Sequence, residues 1–171
     1  MNCAHPCTSI VLIIFAAALA PLSRAEKGDF WLDINVASKH SEQRYIWERR
    51  VREYNEKNLG LGATYELTEW CEVKGGWFEN SYERTSVYAL LNAKWNRWRY
   101  RGWFLAPGLA AGIVSGYDNT PERTGVIAPW GMVTLSIGAV NRWKINLGYI
   151  PSRIVMRGAV EVATLQVSLK L

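Results

Sequence analysis

Few side chains in this chain carry obvious chemistry, and most of them gather between apolar segments. Arg44, Arg49, Arg50 and Arg52 crowd together with Tyr45 and Trp47. Such a group suits bidentate contacts with phosphates, or simply makes a solvated charged loop. His5 and His40 are the only histidines, and Cys3, Cys7 and Cys71 the only cysteines. Three cysteines so placed cannot build a paired-cysteine zinc site. No metal or cofactor is expected.

Residues 1–25 read as a secretory signal peptide. An apolar run covers Ile10 to Ala20, and Ser23-Arg24-Ala25 puts small residues where a signal peptidase needs them, ahead of Glu26. The segment before the run has no Lys or Arg, and an uncleaved anchor is the alternative. Cleavage leaves residues 26–171 with His40 as the one histidine and Cys71 as the one cysteine, so no internal disulfide can form. It also removes Arg24 and no acid, lowering the formal charge of +5 by one. Export argues against a nucleic-acid partner and favours an anionic membrane surface.

The elements that must position these residues are strands. Leu165, Val167, Leu169 and Leu171 alternate with Thr164, Gln166, Ser168 and Lys170, a period of two that runs to the last residue. Leu61, Ala63 and Tyr65 alternate with Gly62, Thr64 and Glu66, and Val87, Ala89 and Leu91 with Tyr88, Leu90 and Asn92. No segment of residues 26–171 shows a convincing helical stripe. The pattern predicts an all-β fold of eight strands, at about 30–40, 58–68, 71–80, 85–96, 101–116, 126–139, 143–152 and 159–171.

Tight connections are predicted at 68–70, 96–100 and 140–142, and longer ones at 41–57, 81–84, 117–125 and 153–158. Short and long alternate, so all the short ones fall at one end. An even number of antiparallel strands of roughly 10 residues, laid out this way, predicts an eight-stranded antiparallel transmembrane β-barrel over residues 26–171. Trp31, Trp70, Trp95, Trp98, Trp103 and Trp143 lie near the short-turn end, where an interfacial girdle would sit. A soluble ligand barrel with its apolar face turned inward is the rival architecture.

With the Leu-rich faces turned to lipid, the interior holds Thr64, Glu66, Ser86, Asn92, Lys94, Thr134, Ser136, Gln166 and Ser168. It also holds Phe78, Tyr88, Leu90, Phe104, Trp130, Met132 and Ile150. That mixture suggests a pocket for a chain-like apolar ligand, open at the loop end; a plugged barrel is the plainer alternative. Pro107, Pro129 and Pro151 interrupt strands, and a proline removes a ladder hydrogen bond. Pro129 and Pro151 fall on neighbouring strands near the loop end, where the lost pairing would open a lateral gap.

At these positions the chain resembles the PagP family, outer-membrane enzymes that move a palmitoyl chain from a phospholipid to lipid A. The resemblance rests on Tyr54-Asn55-Glu56-Lys57 followed by Gly60 and Gly62, on Tyr149-Ile150-Pro151, and on Pro129, in one order across about residues 30–171. It implies a monomeric barrel in the Gram-negative outer membrane, with phospholipid and lipopolysaccharide as partners. Carried over position by position, the family's catalytic histidine falls on His40 and its Asp-Ser pair on Asn80-Ser81. His40 would then move the proton, Ser81 act as nucleophile or oxyanion donor, and Asn80 orient the imidazole.

Tyr88, Leu90 and Met132 would line the acyl pocket, Pro129 with Pro151 would admit lipid sideways, and Arg49 and Arg52 would meet lipopolysaccharide phosphates. The chain departs from the family where Asn80 replaces the aspartate and where Leu90 replaces the pocket-floor glycine. Asn35 stands near the family's first-strand proline, and the short stretch from Glu26 to Phe30 leaves no room for an amphipathic helix. Strict alternation from Leu32, Ile34 and Val36 also turns His40 outward, so an inward His40 needs a bulge near Ser38. These departures feed a second reading, a non-catalytic PagP-like surface barrel that modifies or stabilises the envelope by binding lipopolysaccharide or a receptor.

Overall fold

Alternating apolar and small or polar residues leave one face of each strand needing burial and the other needing a different environment. A closed cylinder is the arrangement that satisfies both without leaving a sheet edge. The structure, a computed structural model, describes residues 28–47, 50–95, 97–117, 127–151 and 160–171. The expected signal peptide, residues 1–25, lies outside them.

The cylinder is built from β1 (Phe30–His40), β4 (Gly60–Thr68), β5 (Cys71–Glu79), β6 (Thr85–Lys94), β8 (Trp103–Ser115), β9 (Ile127–Ala139), β10 (Trp143–Ile150) and β11 (Val162–Lys170). Each pairs antiparallel with its neighbours in this order, and β1 pairs with β11 to close the ring. The eight predicted strands are these eight, within a few residues at each end.

Three short elements depart from the sequence reading. The long 41–57 connection contains a hairpin of β2 (Arg44–Trp47) and β3 (Arg50–Glu53). The connection expected to be tight at 96–100 instead carries β7 (Trp98–Tyr100), which folds back on the start of β8. Its reversal is made at Arg101 and Gly102, both at positive φ.

Lateral orientation follows the alternation. Leu61, Val73, Val87, Leu109, Val133, Leu147 and Leu169 face outward, while Thr64, Ser86, Asn92, Ser136 and Ser168 are buried in the lumen. Trp70, Trp95, Trp98, Tyr100 and Trp103 are exposed around the short-turn end. Trp31 is the exception to the expected girdle. It is only 3% exposed and points into the lumen, where the Lys144 ammonium sits 4.4 Å above its ring and gains a cation–π contact away from water.

The lumen near the short turns is filled by charge. Glu72 on β5 receives Lys94 Nζ at 2.6 Å and Lys144 Nζ at 2.9 Å, all three being buried. Glu66 adds contacts with Lys94 at 3.3 Å and Arg97 at 3.2 Å. Asp33 accepts from Thr64 and Ser168. In the ring β5 and β10 stand on opposite walls, so the Glu72–Lys144 pair ties the cylinder across its diameter.

A buried ion that loses its partner costs far more than a surface pair. Glu72→Ala is therefore expected to destabilise the barrel by about 3–5 kcal/mol. Urea unfolding in lipid vesicles checks this, and a change under about 1 kcal/mol would mean that water already solvates the two lysines.

Candidate functional site

The upper half of the lumen is apolar and partly empty. Phe78, Tyr88, Leu90, Val114 and Ala128 form a buried cluster, with Tyr117, Trp130 and Met132 packed against it. They line a cavity of about 210 Å³. Its floor is polar: Lys74 Nζ donates to Gln166 Oε1 at 2.6 Å, and Gln166 Nε2 donates to Asn35 Oδ1 at 3.0 Å. Glycines keep the space open. A Cβ on Gly148 would meet Met132 Sδ at 2.7 Å.

His40 and Ser81 meet at the cavity mouth. The register of β1 against β11 shifts between Asn35 and Ala37, slightly before the place where the sequence required a bulge. Beyond that shift the even-numbered positions Ser38 and His40 join the lumen side. His40 is 5% exposed, and its Nε2 lies 2.8 Å from Ser81 Oγ. The imidazole stacks on Tyr54, with ring centroids 4.3 Å apart and planes within 7°. Glu56 Oε1 accepts from the His40 backbone N–H at 3.4 Å, while its other oxygen pairs with Lys39 at 3.0 Å. The hydrogen bond from Lys39 holds the Glu56 carboxyl below the usual carboxylate range.

Asn80 is close in sequence but does a different task from the one its place implied. Its side chain is fully buried; Nδ2 donates to Ser86 Oγ at 2.9 Å and to the Gly116 carbonyl at 2.8 Å. Its Oδ1 accepts from the backbone N–H groups of Tyr82 and Arg84. Such self-bonding is the usual behaviour of Asn in a turn, and it fixes the loop that presents Ser81 rather than the imidazole. His40 Nδ1 is buried with no hydrogen-bond partner among the described residues. The site is a Ser–His pair with no carboxylate behind it there.

Four tyrosines surround the pair, a feature the sequence reading missed. Tyr45 and Tyr54 stack at 4.8 Å, Tyr45 meets Tyr82 edge-on at 5.0 Å, and Tyr82 meets Tyr117 at 6.0 Å. Tyr117 is hydrogen-bonded to Ser81. Burial is the main cause that pushes the Tyr54 phenol up to about 12, and it raises Tyr82 as well. These phenols stay neutral donors well above neutral pH. Three of the four lie in or beside loops, where no period exposes them in the sequence.

Of the other expected residues, Tyr88, Leu90 and Met132 line the cavity. Arg52 lies exposed on β3 and does not line it, and Arg49 falls outside the described residues. Pro129 faces outward on β9. Among the described residues, pairing of β9 with β10 ends at Val133–Tyr149, while Ile127 to Ala139 pair with β8 throughout. Pro151 directly follows the end of β10. Among the described residues no group of three or more His, Cys, Asp or Glu side chains could hold a metal.

No family model matches the chain, and no curated protein matches it significantly. Solved structures do. A de novo designed transmembrane β-barrel superposes with a TM-score of 0.57 at 13% identity, over 86% of this chain and 100% of that one. The solution NMR structure of the de novo designed TMB2.3 gives 0.51 at 17% identity, over 85% and 98%. The fold is that of a transmembrane β-barrel. Its Leu and Val side chains face outward over a lumen with buried charges, the opposite orientation to a soluble barrel with its apolar face turned inward.

Asn80→Ala removes the acceptor for the Tyr82 and Arg84 N–H groups and the donor for Ser86 and Gly116. At about 1 kcal/mol for each net hydrogen bond, it is expected to lower stability by roughly 4 kcal/mol and to free Ser81 from His40. Urea titration, with the His40 ring nitrogens followed by NMR, reads both effects. Unchanged nitrogen shifts would show that the loop is held by other contacts.

Proposed function

We propose that the chain is a lipid acyltransferase of the Gram-negative outer membrane, similar to PagP, which moves an acyl chain from a phospholipid to lipid A. The observation that carries this reading is the 2.8 Å contact of Ser81 Oγ with His40 Nε2 at the mouth of an apolar cavity. A hydroxyl so placed is activated when an imidazole takes its proton. Ser81 Oγ attacks the ester carbonyl as Nε2 accepts the proton, and the lysophospholipid oxygen leaves carrying that proton. The acceptor hydroxyl then attacks the acyl-serine, giving its proton to Nε2, which returns it to Ser81 Oγ.

Access is supported by where the described β9–β10 pairs end, at Val133 and Tyr149, beside Pro129 and Pro151. Lipid in the outer leaflet would enter there and lay its chain among Tyr88, Leu90 and Met132. Leu90 fills part of the floor and shortens the chain that fits. Arg49 and Arg52 are proposed to meet lipopolysaccharide phosphates outside the cavity. The barrel works as a monomer in this reading, without a cofactor. A second reading has one observation in its favour: with no carboxylate on Nδ1, the imidazolium of a transition state has no charge partner at that atom. In that reading the barrel binds lipopolysaccharide or a receptor without reacting.

Mass spectrometry of lipid A from cells with and without the protein separates the two. An added acyl chain is expected, falling at least about 100-fold in His40→Ala and Ser81→Ala. Unchanged lipid A beside a well-folded barrel would leave the binding reading.

A further inference from the structure

An apolar cavity that ends on an ammonium group is an unusual container for a hydrocarbon tail. Lys74 on β5 reaches Gln166 on β11, and two strands of the ring lie between them. The ammonium therefore stands out from the wall, across the lumen beneath the cavity. Gln166 has no capacity left: Oε1 also accepts from Asn146 at 3.2 Å, and Nε2 donates to Asn35 at 3.0 Å and Tyr88 at 3.3 Å. The other N–H of Asn146 goes to Ser168 Oγ at 2.8 Å. Lys74 differs, with three N–H groups and one hydrogen bond among the described residues. Its carboxylate partner, Glu72, lies 3.8 Å away, beyond hydrogen-bond range. Lys94 and Lys144 hold the same carboxylate at 2.6 and 2.9 Å, with 1% and 0% of their side chains exposed. Lys74 keeps 8% exposed and lines the cavity, so that surface opens into it.

The charge balance selects what belongs there. In the lumen Asp33, Glu66 and Glu72 face Lys74, Lys94 and Lys144, with Arg97 on Glu66 as a fourth cation. One positive charge is in excess among the described residues, and a buried ion without a counterpart is costly. The unspent groups are donors, so the missing partner is an acceptor and an anion. Walls of Phe78, Leu90, Val114, Ala128 and Met132 admit it only at the tip of an apolar chain. A carboxylate supplies the charge and two acceptor oxygens on a group barely wider than the chain. We propose that the cavity binds an aliphatic chain ending in a carboxylate, which docks on Lys74 at the floor. A fatty acid entering head first and a lipid acyl chain carboxylated at its far end present the same group. Neither source requires Ser81 or acyl transfer, so failure of this site and failure of the enzymatic reading are measured separately.

The test uses the full chain in phosphatidylcholine nanodiscs at mildly alkaline pH, with carbon-13 methionine methyls. Decanoate, monomethyl decanedioate, decanol and decylammonium are titrated in turn, and affinities are corrected for partition into empty discs. At least one of the two carboxylates is expected to shift the Met132 methyl and to bind about tenfold more tightly than decanol, as a charge-assisted hydrogen bond implies. Decylammonium should bind more weakly still. Binding of decanoate makes a free fatty acid a sufficient source; binding of the half-ester alone points to a carboxylated lipid chain. Lys74→Met should abolish the preference. In that variant Gln166 Oε1 keeps Asn146, and Glu72 keeps Lys94 and Lys144, so no new buried group is left unmet. Should the variant fail to fold, the comparison of ligands on the unaltered chain still decides. Decanol binding as well as both carboxylates, no shift of Met132 with either, or a preference that survives Lys74→Met would overturn the site.

Discussion

Everything in this barrel depends on keeping charge inside a cylinder whose outside is hydrocarbon. Glu72, Lys94 and Lys144 are buried and would be very costly as isolated ions. They are tolerated because each has an opposite charge at hydrogen-bonding distance, Lys94 reaching Glu72 from the neighbouring strand and Lys144 from the opposite wall. That requirement fixes which face of each strand looks inward, and with a period of two it fixes every other side chain as well. A one-residue slip in β5 or β10 would place Glu72 or Lys144 against lipid. Register is therefore set by electrostatics as much as by backbone pairing.

The same cylinder is divided along its axis. Charges and amides fill the short-turn half, where Gln166 and Lys74 seal the floor. Above them aromatic and aliphatic side chains leave an open space, and at the rim the bulge in β1 turns His40 towards Ser81. The lower half is filled by paired charges, and the upper half keeps a cavity. Asn80 anchors one side of the mouth, and the stack of His40 on Tyr54 anchors the other.

Much of this was legible in the sequence, for a physical reason. Half-buried strands must alternate, so Val133, Leu135 and Ile137 against Thr134 and Ser136 declare both the strand and its orientation. The hairpin β2–β3 was not legible, because Arg44, Arg50 and Arg52 interrupt any apolar period on an exposed ribbon. Trp31 misled, since a girdle suits most tryptophans, yet its parity matches Asp33 and puts it beside Lys144. Position in sequence brought His40, Asn80 and Ser81 to the same end of the barrel. The partners of Asn80 and the tyrosines around the imidazole arise from loop packing, which carries no period.

Nitroxide scanning along β9 tests the orientation directly. With Cys3, Cys7 and Cys71 replaced by serine, single labels at residues 132 to 137 are placed in vesicles, and their collision rates with oxygen and with a polar nickel reagent are compared. Val133, Leu135 and Ile137 should report high oxygen access, and Met132, Thr134 and Ser136 low access to oxygen. The inverse pattern, or no alternation, would contradict a charge-filled lumen wrapped in lipid.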